Sequence, residues 1–283
     1  MTAWPIAVRP NVTEPKGWTW AVARQVNQLL LAISFMSRLP VPHDLHYRTD
    51  IMHSALRYFP LVGWIVAGLL VMFWLVLSPW LGALPTVCLL LMASLLLTGA
   101  LHEDGLADCF DGFYGGFDRE RKLTIMKDSR LGTYGTSALV MMLLTRLVLL
   151  WSLAQHELLL AALCLAYPLS RALAITHAQD LTYVSAPGTS KSDPLARPLS
   201  SSMLVQLLLF GGVGFVLLPW PALVAVIPAC VLTRTLLKHW MFKHIGGFTG
   251  DSLGAAQQFQ EMCIYLVLLA LANQGWLAAG GLL

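Results

Sequence analysis

The sequence predicts an all-α membrane protein, a polytopic helix bundle of about seven spanning helices preceded by an N-terminal interfacial or re-entrant helix. Composition is the first reason. The 283 residues are 57% hydrophobic and 12% charged, with mean hydropathy +0.67, whereas a soluble domain carries roughly 25% charged residues. A chain this apolar would leave too much greasy surface in water. The second reason is length, because the apolar residues gather in runs close to the about 20 residues that a spanning helix needs. The third is that Lys and Arg collect on alternate connections, as the positive-inside rule requires.

Taken in order, the spans are expected at 57–78, 81–101, 134–154, 158–177, 203–219, 222–242 and 262–281. The connections near 79–80, 155–157 and 220–221 are short and hold no Lys or Arg. Those at 38–56, 102–133, 178–202 and 243–261 hold Arg38, Arg48, Arg119, Arg121, Lys122, Lys127, Arg130, Lys191, Arg197 and Lys243. This second set faces the cytoplasm. Residues 1–25 are polar, carry Arg9, Lys16 and Arg24, and read as a cytoplasmic N-terminus without a cleavable signal. The stretch 26–37 is about a dozen residues long, too short to span, and spanning would put the basic N-terminus outside. It is therefore expected to lie in the interface or to re-enter, which leaves Leu283 outside.

The chain reads as one integral membrane domain over 1–283, without the internal repeat that paired transporter halves show. Five cysteines have no CxxC spacing and read as small buried hydrophobes. A formal net charge of +3 is too small to suggest a nucleic-acid partner. The loop 178–202 is rich in Ser, Thr, Pro and Gly and is a candidate lid or a linker.

Chemistry concentrates in LHEDGLADCFDGF, residues 101–113, directly after a membrane-length apolar run. It holds His102, Glu103, Asp104, Asp108 and Asp111, and no role is assigned to His102. Asp104, Asp108 and Asp111 stand at i, i+4 and i+7, within a roughly 60° arc of one helix face; Glu103 points to the side. Carboxylates this close repel unless a cation compensates them. Magnesium suits them, since it takes oxygen ligands and binds through carboxylates plus substrate phosphates. The competing reading is a solvated face. Against it, residues 102–133 hold seven of the chain's fifteen acidic residues.

Downstream, RKLTIMKDSRLGTYG places Lys127, Asp128 and Arg130 before a glycine pair. Lys and Arg offer donors to phosphate oxygens; positive-inside anchoring is the other explanation. Arg171, Arg234 and Lys238 fall toward the cytoplasmic ends of spans, where charge is costly. They are candidate phosphate partners, with snorkelling the alternative for Lys238. Arg146 sits deeper and reads as structural. In KHIGGFTGDSLGA, residues 243–255, Lys243, Gly247 and Thr249 could cradle phosphate, and Asp251 could add a metal ligand. This is neither a Walker loop nor a Rossmann fingerprint.

LHEDGLADCFDGF, IMKDSRLGTYG and GGFTGDSLGA, in that order, resemble the hallmark segments of the cobalamin synthase (adenosylcobinamide-GDP ribazoletransferase) family. FMSRLPVP at 35–42 and YFPLVGW at 58–64 resemble its opening, so the resemblance runs through most of the chain. It implies a multipass transferase of the prokaryotic inner membrane with its active site toward the cytoplasm. Such an enzyme joins adenosylcobinamide-GDP to alpha-ribazole or its 5′-phosphate and releases GMP, with magnesium as cofactor. Implied partners are these corrinoid and ribazole substrates, membrane lipids and other nucleotide-loop assembly enzymes. Asp108, Asp111 and Gly112 are also similar to the DxxDG element of CDP-alcohol phosphotransferases, although the Ala-Arg that follows it there is absent. On this reading Glu103, Asp104, Asp108, Asp111 and Asp251 hold the metal. Lys127, Asp128 and Arg130 serve catalysis, with Asp128 or a cluster carboxylate as base. A lipid-directed CDP-alcohol transferase and a divalent-cation transporter are the rival readings.

Overall fold

The computed structural model describes residues 18–184 and 194–277. They form helices and connections, with one isolated bridge between Tyr183 and Phe248. In chain order the helices are α1 (Trp18–Met36), α2 (Thr49–Ala55), α3 (Phe59–Leu81), α4 (Ala83–Thr98), α5 (Leu101–Gly115), α6 (Arg119–Ile125), α7 (Thr133–Gln155), α8 (Leu159–Ile175), α9 (Ser201–Gly212), α10 (Trp220–Ile245) and α11 (Gly250–Asn273).

Five of the expected spans are long and apolar enough to cross a membrane: Thr49–Leu81, Thr133–Gln155, Leu159–Gln179, Trp220–Ile245 and Gly250–Asn273. A sixth is counted if α4 and α5, bent by 87° at their junction, form one broken span. α4 alone has 16 residues, about 24 Å of helix. The expected 203–219 span is a shorter apolar segment, Ser201–Leu217, whose last turn tightens to a 3-10 helix. By length and composition the described residues thus hold five candidate spans, or six with the bent pair. α1 is longer than the stretch expected there and is not among the candidate spans. Residues 1–17, 185–193 and 278–283, which include most of the expected N-terminal tail, the middle of the candidate lid and Leu283, lie outside the described residues.

Two expected loops prove to be largely helical. The acidic segment 102–133 is α5, α6 and short turns. The glycine-rich segment 243–261 contains a turn and then the first half of α11. The cause is local. Thr249 Oγ1 accepts from the Ser252 N–H at 3.1 Å while Ser252 Oγ accepts from the Thr249 N–H at 2.8 Å. This capping box starts the helix twelve residues ahead of the apolar run at 262.

α8 is the central helix. Its span is 83% buried, against 22–28% for the spans of α3, α7 and α10. Pro168 inside it cannot bond to the Cys164 carbonyl one turn back, and glycines on two neighbours exploit that surface. A Cβ at Gly63 of α3 would meet the Pro168 backbone at 2.7 Å. One at Gly214, just beyond α9, would meet the Cys164 carbonyl oxygen at 2.6 Å. α3 and the turn that follows α9 therefore lie directly on the α8 backbone. α11 packs along α5, α8 and α10 and joins the site-bearing helices to this centre.

Gly63→Ala should force α3 off Pro168, because both contacting groups are backbone. We expect a loss of about 1–3 kcal/mol of stability, read as a lower melting temperature in detergent. Gly68→Ala, whose Cβ meets nothing within 4 Å, should melt no lower than the parent.

Candidate active site

The break after α4 positions the site. Gly99 (φ 64) and Ala100 (φ 53) are both left-handed, a conformation that glycine takes freely and alanine at a cost. The chain turns there and sends α5 across the start of α11. Glycine again permits the contact. A Cβ at Gly105 would meet the Asp251 carbonyl oxygen at 2.6 Å, and one at Gly254 would lie 3.3 Å from His102 Cα.

This crossing brings together acidic residues that are far apart in sequence. Asp104 is exposed, Asp108 is half-buried, and Asp251 stands in the first turn of α11. Asp108 lies in the field of Asp251, Asp104 and Asp111, with Lys127 as the cation facing them. Asp251 in turn faces Lys127 and Asp104. The GDSLG segment thus lies against the backbone of α5.

Asp111 is used differently. Its Oδ2 accepts from the Gly132 N–H at 2.7 Å and its Oδ1 from the Gly135 N–H at 2.8 Å. These N–H groups belong to the first turn of α7, which has no intrahelical partners for them. Both glycines are required, since a Cβ at either would collide with the Asp111 carboxylate. Asp111 is therefore a cap supplied from a neighbouring helix.

Glu103 turns away from the acidic face into the bundle. Its Oε1 accepts from Arg146 at 3.0 Å and from Gln258 at 3.1 Å. Arg146 also reaches Glu261 at 2.7 Å and the Tyr167 hydroxyl at 2.9 Å. Gln257 and Tyr265 donate to Glu261 at 2.6 and 3.1 Å. His102 is buried nearby, in the field of Arg171 and Arg146. Glu261, Gln257 and Gln258 went unnoticed in the sequence because they lay in an expected loop. Their helical spacing with Tyr265 was the signal available.

Arg171 is 2% exposed, donates to the Tyr167 carbonyl at 2.8 Å and stacks over the Tyr167 ring. That burial keeps it from a substrate phosphate. Arg234 and Lys238 converge on Asp180 rather than on the acidic face. Lys243 is exposed at the end of α10, Gly247 is buried against the Thr182 carbonyl, and Thr249 is spent as the cap of α11. Asp128 and Arg130 form a fork, with Arg130 Nη2 to Asp128 Oδ2 at 2.6 Å. Side-chain and backbone hydrogen bonds from Arg130 hold the Asp128 carboxyl down at about 2, so it is a weak base.

Among the described residues no group of three or more His, Cys, Asp or Glu side chains is placed to hold a metal ion by itself. Asp104, Asp108 and Asp251 offer only oxygen donors, the type that can share an ion with a substrate's phosphates. Magnesium commonly binds in that way, through one or two carboxylates.

Known proteins resemble the chain over most of its length. The family model described as Cobalamin-5-phosphate synthase matches residues 28–269. The chain belongs to that family. Adenosylcobinamide-GDP ribazoletransferase of Pseudoalteromonas atlantica is 54% identical over 247 residues, 87% of this chain and 91% of that one. The protein of the same name from Vibrio cholerae is 45% identical over 246 residues, 87% and 94% of the two chains. That from Shewanella amazonensis is 42% identical over 254 residues, 89% and 98%. No solved structure matches the chain. The matched region contains α5 and the first twenty residues of α11, which form the crossing.

Two outcomes follow from this geometry. Arg146→Met should cost about 3–5 kcal/mol, because it strands two buried carboxylates; thermal melting in detergent measures it. Asp128, with its carboxyl pKa depressed, stays ionised as pH falls until about 2. The acidic limb of the pH–rate profile between about pH 4 and 8 should therefore survive in Asp128→Asn.

Proposed function

We propose that the chain transfers the adenosylcobinamide phosphate group of adenosylcobinamide-GDP to alpha-ribazole or alpha-ribazole 5′-phosphate, releasing GMP. The observation that carries the reading is the meeting of Asp104, Asp108 and Asp251, with Lys127 facing them, at one helix crossing. Family membership favours it over a lipid-directed transferase or a cation transporter.

Transfer from a diphosphate calls for charge neutralisation and positioning more than for covalent chemistry. Magnesium bound between the carboxylates and the diphosphate would supply positive charge for the phosphoryl oxygens. Asp104, Asp108 and Asp251 would hold it, while Glu103 and Asp111 keep α5 and α7 in place. Lys127, exposed beside the cluster, approaches the phosphate oxygens from the opposite side. The acceptor's 3′-hydroxyl oxygen bonds to the phosphorus on the cobinamide side, and the bond from that phosphorus to the bridging oxygen breaks with GMP as leaving group. Because Arg130 holds Asp128 a weak base, the hydroxyl proton passes to a carboxylate of the α5–α11 face. The Lys and Arg distribution supports an inner-membrane orientation with this face toward the cytoplasm.

Asp108→Asn keeps size and shape while removing one charge. Turnover should fall by orders of magnitude, and the melting temperature should hold or rise because a repelling group has been neutralised. Magnesium-dependent GMP release and melting on the same preparation test both. Chelation should stop GMP release and added magnesium restore it. Near-normal turnover by well-folded Asp108→Asn would sink the assignment.

A further inference from the structure

Away from the acidic face, a second group of charges meets where α8 ends against α10. Arg234 Nη2 donates to Asp180 Oδ2 at 2.6 Å and to the Thr176 carbonyl at 2.9 Å, and its Nε donates to Thr176 Oγ1 at 2.7 Å. Lys238, one turn further along α10, lies 3.6 Å from the same Asp180 oxygen. Two cations therefore share one carboxylate, and a positive charge is left over. All three side chains are partly open, 21%, 38% and 31% exposed for Arg234, Lys238 and Asp180.

His177 lies fully buried in the field of these same three residues. Neither of its ring nitrogens has a hydrogen-bond partner, and the Gln179 side-chain nitrogen is buried and unpartnered as well. Buried polar groups are nearly always satisfied.

We infer that Arg234 and Lys238 form a phosphomonoester subsite, with the Asp180 carboxylate as its internal stand-in, which takes the 5′-phosphate of the sugar acceptor. This rests on the transfer reading above. A phosphomonoester carries about −1.5 to −2 charges near pH 7, so it balances two cations where one carboxylate does not. The guanidinium fork suits its oxygens. The subsite is also tied to the acidic face. Phe248 N–H donates to the Thr182 carbonyl at 3.0 Å, and Val184 N–H to the Phe248 carbonyl at 2.8 Å. The strand of chain that carries Asp180 is thereby bonded to the turn that leads into Asp251.

The test uses the full-length protein in detergent, with ribose 5-phosphate as probe and ribose as control. Ribose 5-phosphate should raise the melting temperature and ribose should not. Asp180→Asn removes the competing carboxylate and should tighten ribose 5-phosphate several-fold, whereas Arg234→Gln and Lys238→Gln should abolish the shift. In turnover, Arg234→Gln should raise the ratio of KM for alpha-ribazole 5′-phosphate to KM for alpha-ribazole at least tenfold. An Asp180→Asn protein that binds ribose 5-phosphate no better than the parent, or an unchanged KM ratio, overturns the subsite. Absence of GMP release from the parent with both acceptors defeats the transfer reading instead, and the ribose 5-phosphate melts still decide the subsite.

Discussion

Arg146 is the interaction on which the rest depends. A guanidinium in the middle of an apolar bundle is tolerable only if it is paired and hydrogen-bonded, because desolvation alone costs several kcal/mol. Here it is held by Glu103 from α5 and Glu261 from α11, with Tyr167 from α8 as a third partner. One side chain of α7 thus fixes three other helices relative to itself. The direction of α5 follows, since Glu103 cannot face Arg146 unless Asp104 and Asp108 face outward. The acidic face is the other side of a helix whose inner side is already committed.

Close packing supplies what the ion network cannot, namely short distances. Gly105 and Gly254 let α5 and α11 touch backbone to backbone, and Gly132 and Gly135 let Asp111 reach the first turn of α7. Each glycine works by what a methyl group would displace, and in each case the obstacle is backbone or a carboxylate with nowhere to go. The LGTYG glycines are therefore features of the Asp111 cap. Dispersion and shape, rather than burial from water, dominate such contacts in a lipid-facing bundle.

Composition and the apolar runs were enough to read the membrane bundle, and the i, i+4 spacing put Asp104 and Asp108 on one face; Asp111, the third of the expected set, is buried and turns to the start of α7. Two physical effects hid the remainder. Hydropathy windows start a span where the apolar run starts, but α11 begins at its Thr249 cap and carries Gln257, Gln258 and Glu261 into the interior, where partners on other helices satisfy them. That made a buried helix look like a loop. The other effect is that charge alone does not say what compensates it. Glu103 and Asp104 are adjacent and equally acidic, and only the bend at Gly99 and Ala100 decides which one meets Arg146. Likewise Arg171 and Arg234 look alike in sequence, yet one is sealed against Tyr167 and the other opens toward Asp180.

Compensation separates the two uses of charge in this molecule. Inside the bundle Glu103 and Glu261 are answered by Arg146, with Arg171 in the same field. Asp111 is answered by two backbone N–H groups. At the α5–α11 crossing the answer stops: Asp104, Asp108 and Asp251 face one another with Lys127 as the cation among them. Holding like charges together is unfavourable, and close glycine packing leaves the helices little room to part. On the proposed function, positive charge arriving with a substrate relieves that repulsion, a need that the better-paired interior does not have.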